Sequence, residues 1–597
     1  MPMLKSLRLL KSLLSARLSI SPRANLRDFS LLGFALAIGF LAAIGALIFR
    51  FMIELFQYLF WASGETFLDQ VSASPWWLTL SLPALGGLVA GPIIHRFAPE
   101  ARGPGVPAVI LSVSTQQSTI RHRVTFIKGL VSSLLLGTGA SVGREGPVVQ
   151  IGASVGSSLA QVFRLRPDLR RVCLACGAAA GIAATFNAPI AGSLFALEII
   201  LMNIEVAYIS HIVIAAITGS VLSQVFWGEF PAFEVVPFVL GSYWELAAYL
   251  LLGLAAGMIS ICFVRLTYGL DSLFARLPLP DWIKPAMGGL AVGCLALALP
   301  RVLGVGYDTV NAALSGSLLW NTALFLLGAK LLATSLCIGS GMSGGILAPS
   351  LYLGATLGIV VGMASMQLGI SQDLHPGFFA LAGMGAVVSG TTLAPITAIM
   401  TIFELTLHYQ IILPLMLSCI SSTLVVRILF GYSAYEMKLV RSGVNIVRGH
   451  DVGILRNLLV REFMRRDFAW MYEDAPLSEL YENLMKSAFP HLVVLNAKEE
   501  LAGVVSLRDL RPVLSRLHEL QDKLAVRDLM SRKAITLEEG DDMEKAMHIF
   551  EQHRFSLVPV VRGAEPKQVS GILTKDDLLI AYDQKVLKDR VLSSPGS

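Results

Sequence analysis

Charged residues are scarce in this sequence, and its cysteines and histidines lack the spacing of a metal site. Of the 597 residues, 15% are charged and 54% are hydrophobic. The six cysteines include one C-x-x-C pair, Cys173 and Cys176, which neither a second pair nor nearby histidines accompany. We therefore expect buried cysteines in close helix packing rather than a metal centre.

Acidic residues are absent from positions 1–27, where Lys and Arg recur. We expect no cleavable secretory signal, because the apolar run after Asp28 is too long for a signal-peptide core. An acid-free segment rich in Arg and Ser is compatible with a transit peptide, but it also suits a cytoplasmic segment that obeys the positive-inside rule. We favour the second interpretation.

Charges are sparse from about Phe29 to Phe430 and dense beyond Lys438. Apolar runs long enough to span a bilayer recur in the first region, which predicts a polytopic α-helical membrane protein followed by a soluble domain. The 53 glycines and 27 prolines interrupt many of these runs. Broken helices at membrane depth are tolerated only inside protein or along a water-filled cavity, so we expect such a cavity.

Lys330 stands alone in one apolar run and either adds positive potential to a vestibule or extends to the membrane interface.

The segment Gly143–Pro147 places two opposite charges, Arg144 and Glu145, between apolar stretches. A charge at membrane depth indicates a functional site. Glycine permits close backbone approach, and Pro147 suits the first position of a helix, whose unpaired N–H groups and positive dipole end bind anions. The Glu145 carboxylate is itself an anion that could occupy this site or leave it. The alternative interpretation is a salt bridge between Arg144 and Glu145 that caps a helix outside the membrane.

The second half of the membrane region repeats this pattern about two hundred residues later. Gly345–Pro349 again leads from glycine to a helix-starting proline, and the glycines that follow match those after Pro147. Glu198 and Glu404 follow two Ala-Pro pairs at the same interval. Interrupted segments paired between two halves point to a binding site near the bilayer midplane.

These segments resemble the signatures of the CLC chloride channel and transporter family. The match covers four segments in order, over roughly residues 30 to 440: Gly103–Pro107, Gly143–Pro147, Gly345–Pro349 and the segment around Tyr435. The resemblance implies a homodimer in a lipid bilayer, with two inverted repeats of broken helices and one pathway per subunit for chloride or another small monovalent anion. It implies that Glu145 is the gate, that backbone N–H groups and the tyrosine hydroxyl bind the anion, and that the anion-binding residues are Gly103, Pro104, Gly105, Arg144, Gly146, Ile346, Leu347 and Tyr435.

Three positions depart from the family pattern. Pro104 replaces the usual serine and removes a hydroxyl donor, so we expect weaker binding of a strongly hydrated small anion. The resemblance to plant members with proline at this position implies a preference for nitrate. Leu347 replaces a phenylalanine. Ile199 replaces the inner glutamate of proton-coupled members, and isoleucine cannot take a proton. Glu198 lies about a hundred degrees round the helix from that position, so we expect it to face the dimer interface or the cytoplasm.

A second repeat follows the membrane region. Val460–Met464 is echoed by Val526–Met530, and Gly503–Leu510 by Gly571–Leu578. Each copy has the pattern of a helix, two short strands and a helix, which predicts an α/β unit present twice. The unit resembles the CBS regulatory module. This resemblance implies that no cofactor is required, that an adenine nucleotide (ATP, ADP or AMP) acts as a regulator, and that it contacts Ser506, Asp509, Thr574 and Asp577. The alternative is that these four residues only cap helices.

We therefore predict a basic cytoplasmic segment at 1–28, a membrane domain at 29–445 and a cytoplasmic CBS pair at 446–597. The membrane halves are placed at about 29–235 and 236–445, and the two CBS modules at about 460–519 and 526–585, by the positions of the repeats.

The predicted function is anion transport across a bacterial inner membrane, channel-like because of Ile199, with proton-coupled exchange of chloride or nitrate as the alternative. A CBS-regulated divalent-cation channel is remote, because cation sites need clustered carboxylates or carbonyl rings. An enzyme is not expected, since no nucleophile accompanies a base. Nucleic acid is not expected as a partner.

Overall fold

Helices form the first unit of the chain, and two small mixed sheets form the second. The units comprise Met1–Ile446 and Val447–Ser597. The computed structural model describes residues 22–114, 118–202, 206–228, 233, 245–369, 375–441, 458–486, 491–511, 513, 523–532, 534–553, 556–563, 568–578 and 580–581. Most of the predicted basic segment, residues 1–21, lies outside the described residues.

The first half of the membrane unit is built from helices of very unequal length. They are α1 Pro22–Phe60, α2 Phe67–Ala73, α3 Trp76–Phe97, α4 Val106–Ser114, α5 His122–Gly137, α6 Glu145–Val162, α7 Pro167–Phe186, α8 Pro189–Phe195 and α9 Val206–Trp227. A single π-helical turn, Ala196–Leu201, continues α8.

The second half repeats this succession of long and short helices. They are α10 Glu245–Arg276, α11 Lys284–Ala298, α12 Tyr307–Leu314, α13 Trp320–Gly339, α14 Leu347–Gln367, α15 Pro376–Thr392, α16 Pro395–Thr406, α17 Ile412–Leu429 and α18 Ala434–Arg441.

Eight helices within the described residues are long and apolar enough to cross a membrane. Large apolar side chains such as Phe51, Phe325 and Ile428 are exposed on their surfaces. A surface of this kind is stable against lipid, and a helix satisfies its own backbone groups there. The first unit is therefore a polytopic membrane domain, and its short helices α4, α8, α12 and α16 supply helix ends inside it.

The repeated glycines allow two helix pairs to approach closely. A side chain on Gly152 of α6 would overlap the carbonyl oxygen of Gly177 on α7. In the second half, a side chain on Gly354 of α14 would overlap the carbonyl oxygen of Gly383 on α15. Because both pairs pack backbone against backbone, the helices that begin at Glu145 and Leu347 are rigidly supported.

Glu198 and Glu404 join the two halves by capping each other's helices. The Glu404 carboxylate accepts the first two free N–H groups of α8, at 2.9 and 2.6 Å. The Glu198 carboxylate accepts two N–H groups at the start of α16, at 3.4 and 2.7 Å, and the hydroxyl of Thr397 at 2.6 Å. That Glu198 faces the dimer interface or the cytoplasm stays a prediction; the structure shows that its carboxylate binds the unpaired N–H groups of a helix start.

The second unit contains two copies of a three-stranded sheet. In the first copy β1 Trp470–Tyr472 pairs parallel to β2 His491–Leu495, which pairs antiparallel to β3 Leu501–Ser506. In the second, β4 Leu537–Glu538, β5 Leu557–Arg562 and β6 Gln568–Thr574 repeat this order and these directions. The helices are α19 Val460–Phe463, α20 Leu477–Lys486, α21 Leu507–Leu510 and α22 Met543–His553.

The sequence pattern missed one strand in each copy. Both β1 and β4 are only two or three residues long, and they pair at the sheet edge with a buried apolar strand. Such short strands carry too few alternating positions to give a periodic signal.

Candidate functional site

Three loops that are far apart in sequence meet through backbone hydrogen bonds. The N–H of Gly143 donates to Gly345 at 2.7 Å, and the N–H of Gly345 donates back to Gly143 at 2.6 Å. Gly103 forms a second bridge with the same stretch, because its N–H donates to Met342 at 3.2 Å and its carbonyl accepts the N–H of Gly344 at 3.3 Å. These pairs bring the starts of α4, α6 and α14 to one point.

The closeness of these loops explains their glycines. A side chain on Gly146 would overlap the carbonyl oxygen of Pro104 and approach the backbone of Gly345. Gly103 and Gly105 have φ angles of 78° and 86°, which residues with side chains rarely adopt. The first segment therefore needs glycine on both sides of Pro104.

Pro147 and Pro349 are not at the first helical position, as the sequence pattern suggested. Helix α6 begins at Glu145 and α14 at Leu347, so each proline is the third residue of its helix. Proline is tolerated there because the N–H groups of the first turn have no partner within the helix. The remaining free N–H groups of the turn are left for an acceptor.

The Glu145 carboxylate lies at the start of α14. Its Oε2 accepts the N–H of Ala348 at 3.3 Å, and its Oε1 accepts the hydroxyl of Tyr307 at 3.1 Å. Glu145 is only 1% exposed, and among the described residues it forms no ion pair with Arg144. The interpretation as a surface salt bridge is therefore wrong, because the buried carboxylate is satisfied by donors from the other half of the chain.

The first turn of α14 has the properties of an anion site. Ile346 precedes the helix, Leu347 begins it, and both are buried. The N-terminal N–H groups and the positive end of the helix dipole favour a negative charge, and here the nearest one is the Glu145 carboxylate. That Ile346 and Leu347 bind a transported anion stays a prediction.

Tyr435 is held in place by its own helix start. Ser433 and Glu436 form a reciprocal cap, in which the N–H of Ser433 donates to Glu436 at 2.7 Å and the N–H of Glu436 donates to the Ser433 hydroxyl at 3.1 Å. The Tyr268 hydroxyl donates to the carbonyl of Ala434 at 2.5 Å. Helix α18 packs beside α4, so buried Tyr435 lies on the helix next to the Pro104 segment.

Two buried lysines support the site and its counterpart in the other repeat. Lys128 donates to the carbonyls of Ala101 and Gly103, both at 2.9 Å, immediately before Pro104. Lys330 does the same for two carbonyls on either side of Leu303, at 3.0 and 2.8 Å. Both side chains are fully buried, so Lys330 does not extend to the membrane interface, and its contribution to the potential of a vestibule stays a prediction. The sequence reasoning missed Lys128, although this lysine lies about two hundred residues before Lys330, the offset between the two repeats, and could have been found by that spacing.

A cavity of about 210 Å³ adjoins Arg144, and we call it the Arg144 cavity. Arg144 lies over the Tyr307 ring, with its guanidinium carbon 5.1 Å from the ring centroid. The charged groups that line the cavity are Arg50, Glu54, Arg144, Arg301 and Asp308. Three positive charges against two negative ones favour entry of an anion. Apart from Arg144, sequence analysis did not identify these residues, because their spacing carries no motif.

Ile199 lies in the π-helical turn that follows α8. It is 4% exposed and belongs to the apolar core of the membrane unit. Single π-helical turns are often found at functional sites. The turn packs against α4 and α7, but at Ile199 it presents only a hydrocarbon side chain.

The four predicted nucleotide contacts form two helix caps in the second unit. Asp509 Oδ2 accepts the N–H and hydroxyl of Ser506 at 2.8 and 2.7 Å. Asp577 Oδ2 accepts the same groups of Thr574 at 3.0 and 2.5 Å. Asp509 and Asp577 therefore each cap a helix start, and nucleotide binding stays a prediction.

The two caps differ in one further contact. Arg465 donates to Asp577 Oδ1 through Nε at 2.8 Å and forms an ion pair with it through Nη2 at 2.7 Å, which raises the pKa of Arg465. The backbone of Ser531 pairs with Val504 in the first repeat, just as the backbone of Arg465 pairs with Ile572 in the second. Ser531 therefore occupies, beside the Asp509 cap, the position that Arg465 occupies beside the Asp577 cap. The Asp509 copy thus has no corresponding arginine.

The cysteines and the other ligand-type residues offer no metal site in the described part of the chain. No group of three or more His, Cys, Asp or Glu is placed there to hold an ion. Cys173 and Cys176 are buried free thiols, whereas Cys262 and Cys294 are exposed.

Comparison with known proteins agrees with this architecture. The family model described as voltage gated chloride channel matches residues 86–427, and the CBS domain model matches 460–516 and 526–583. A ClcB-like protein of Ralstonia nicotianae is 35% identical over 422 residues, which are 70% of this chain and 98% of that protein. The H(+)/Cl(-) exchange transporter ClcA of Cronobacter sakazakii is 38% identical over 389 residues, 63% of this chain and 82% of that protein.

A solved structure extends the likeness to three dimensions. The structure of a slow cyanobacterial Cl-/H+ antiporter has a TM-score of 0.63 and 26% identity, covering 69% of this chain and 97% of that chain. These matches agree with the broken helices and with the meeting of the three glycine-led loops. The chain belongs to the CLC family of voltage-gated chloride channels and transporters, with two CBS domains after its membrane domain.

Proposed function

We propose that this chain carries chloride through a pathway that the Glu145 carboxylate closes and that protonation of Glu145 opens. The observation that carries the proposal is the buried carboxylate at the start of α14, 3.3 Å from the N–H of Ala348. A helix start that binds a carboxylate also binds a free anion, so the two compete. Family members are channels and transporters rather than enzymes, which supports transport as the activity.

The proposed setting is a homodimer in a bacterial inner membrane. The named relatives are bacterial, and the family resemblance implies two subunits with one pathway each. The basic segment at 1–27 supports a cytoplasmic N-terminus by the positive-inside rule, with the CBS pair on the same side. Arg50 and Glu54, near the end of α1, line the Arg144 cavity, so with a cytoplasmic N-terminus we place this cavity on the external side as the entrance for the anion.

Removal of the Glu145 carboxylate should abolish the control of flux by pH. In Glu145→Ala and Glu145→Gln no charge competes with chloride, so we expect flux that is high and nearly constant between external pH 7 and pH 4, whereas wild-type flux rises on acidification. The measurement is chloride efflux from reconstituted liposomes at each pH. Glu65→Gln, which alters an exposed carboxylate, should behave as wild type. A steep pH dependence retained in Glu145→Ala would place the gate elsewhere.

We propose that Pro104 weakens the binding of chloride relative to that of nitrate. It offers neither an N–H nor a hydroxyl at the centre of the three loops, and a strongly hydrated anion loses more from a missing donor than a weakly hydrated one.

Pro104→Ser should therefore raise the preference for chloride over nitrate. One hydrogen bond to a charged partner contributes about 1.5 to 3 kcal/mol, which sets the largest expected gain. The permeability ratio from bi-ionic reversal potentials measures it. Pro107→Ser adds the same hydroxyl within α4 and should leave the ratio unchanged. An unaltered ratio in Pro104→Ser would show that this residue does not select the anion.

We further propose that the pathway is channel-like or loosely coupled to protons. The supporting observation is Ile199, which is buried among apolar residues and cannot hold a proton on the way to Glu145. Strict proton-coupled exchange is the second candidate, because relatives named H(+)/Cl(-) exchange transporter and Cl-/H+ antiporter are similar to this chain.

The reversal potential distinguishes the two candidates. Under a chloride gradient at equal pH on both sides, a channel reverses at the chloride equilibrium potential, whereas a coupled exchanger reverses at a smaller value set by its stoichiometry. Planar bilayers containing the purified protein give this number. A reversal potential that shifts with an imposed proton gradient at constant chloride would establish exchange and refute the channel-like proposal.

Adenine nucleotide is proposed as a regulator of the second unit, with the first repeat as the better site. Asp577 is occupied by Arg465, whereas the described contacts of Asp509 are confined to its own cap, which leaves its carboxylate more available to a ribose hydroxyl. A nucleotide changes flux only if it binds two states of the domain with different affinity.

Binding to the full-length protein in detergent tests this assignment. Asp509→Asn should weaken ATP or AMP binding strongly, by the loss of a charge-assisted hydrogen bond, whereas Asp577→Asn should change it less. Calorimetry on both variants and on wild type provides the comparison. Equal loss in the two variants would contradict the preference for the first repeat, and no binding by wild type would remove nucleotide regulation.

A further inference from the structure

Tyr307 contacts the Glu145 carboxylate directly, although no sequence motif includes it. It is the first residue of α12 and follows Gly306, whose φ of 88° turns the chain into the helix. The tyrosine hydroxyl donates to Oε1 of Glu145 at 3.1 Å. The two oxygens of the gate are therefore bound differently, one by the backbone of α14 and the other by this side chain.

The ring of Tyr307 is supported on two sides, which fixes the position of its hydroxyl. The guanidinium carbon of Arg144 lies 5.1 Å from the ring centroid, and the ring of Phe233 meets it edge-on at a centroid distance of 5.6 Å. Phe233 is itself anchored, because its N–H donates to the carbonyl of Leu405 at 3.2 Å. Contacts of this geometry orient an aromatic ring, and the Arg144 guanidinium is also a hydrogen-bond partner of the Tyr307 hydroxyl.

We propose that Tyr307 is a positioning residue that holds the charged Glu145 in the closed position and thereby sets the pH at which the pathway opens. This inference rests on the proposed function of Glu145 as the gate. A hydrogen bond donated to a carboxylate favours its charged form, so the closed state is stabilised and stronger acidification is needed to open it.

The other ionisable groups near the carboxylate do not replace this contact. Arg144 precedes Glu145, and its positive charge also favours the charged carboxylate, but Tyr307→Phe leaves that charge in place, and the two residues form no ion pair among the described residues. The others face the Arg144 cavity: Arg50 and Glu54 from α1, Arg301 from the turn before α12, and Asp308 from α12. Tyr435 is the remaining titratable residue of the site. Of these groups and Tyr307, only Tyr307 has a described hydrogen bond to Glu145.

Tyr307→Phe tests the role of the hydroxyl, because it keeps the ring contacts with Arg144 and Phe233. We expect the external pH of half-maximal flux to rise by about one unit, the equivalent of one charge-assisted hydrogen bond lost from the closed state. Chloride efflux from liposomes, measured from pH 8 to pH 4, gives this value. Tyr409→Phe, which changes an exposed tyrosine, should leave it unchanged.

Two further variants make the outcome decisive. Phe233→Leu keeps the Tyr307 hydroxyl but removes the aromatic contact that supports its ring, so we expect a smaller upward shift of the half-maximal pH. This variant replaces Tyr307→Phe as the test if Tyr307→Phe does not fold. In a Glu145→Ala background, Tyr307→Phe should have no effect on the pH profile, because its partner is absent.

An unchanged half-maximal pH in Tyr307→Phe, or a downward shift, overturns the role of Tyr307 and leaves the gate assignment intact. A pH dependence that persists in Glu145→Ala alone overturns the gate assignment itself and the role of Tyr307 with it.

Discussion

The burial of the Glu145 carboxylate at the start of α14 is the constraint that the structure around the site has to satisfy. A carboxylate that is 1% exposed is stable only if donors replace the water it has lost. The N–H of Ala348 and the hydroxyl of Tyr307 are those donors, and both come from the second half of the chain. Broken helices are required because a continuous helix would have no free N–H groups at this depth.

The structural features that support the site occur twice, once in each half of the inverted repeat. Glycines bring α6 against α7 and α14 against α15, so that both helix starts are fixed. Lys128 and Lys330 each bind two backbone carbonyls, in the loop before Pro104 and in its counterpart in the other repeat. The free N–H groups at these helix starts favour an anion over a cation there.

Sequence analysis predicted the features that are local in the chain and missed those that depend on tertiary contact. The starts of α6 and α14 were predictable because glycine, proline and charge fall within five residues of each other. Tyr307 was not predictable, since it reaches Glu145 from the start of α12 in the other half, where the sequence has no motif. The ion pair between Arg465 and Asp577 was hidden as well, because the repeat pattern makes the two CBS copies look alike, and the difference lies in one residue, Ser531 in place of arginine.

Glu198 and Glu404 show why Glu145 is suited to move. All three carboxylates lie at helix starts, but Glu404 accepts two N–H groups at 2.9 and 2.6 Å, and Glu198 accepts two N–H groups and a hydroxyl at distances down to 2.6 Å. Glu145 accepts one N–H at 3.3 Å and one hydroxyl at 3.1 Å. Glu145 thus accepts as many hydrogen bonds as Glu404, but longer ones, and longer hydrogen bonds hold a carboxylate less strongly. The Glu404 and Glu198 carboxylates link the two halves through their shorter contacts, and the longer contacts of Glu145 support the proposal that an anion or a proton displaces it.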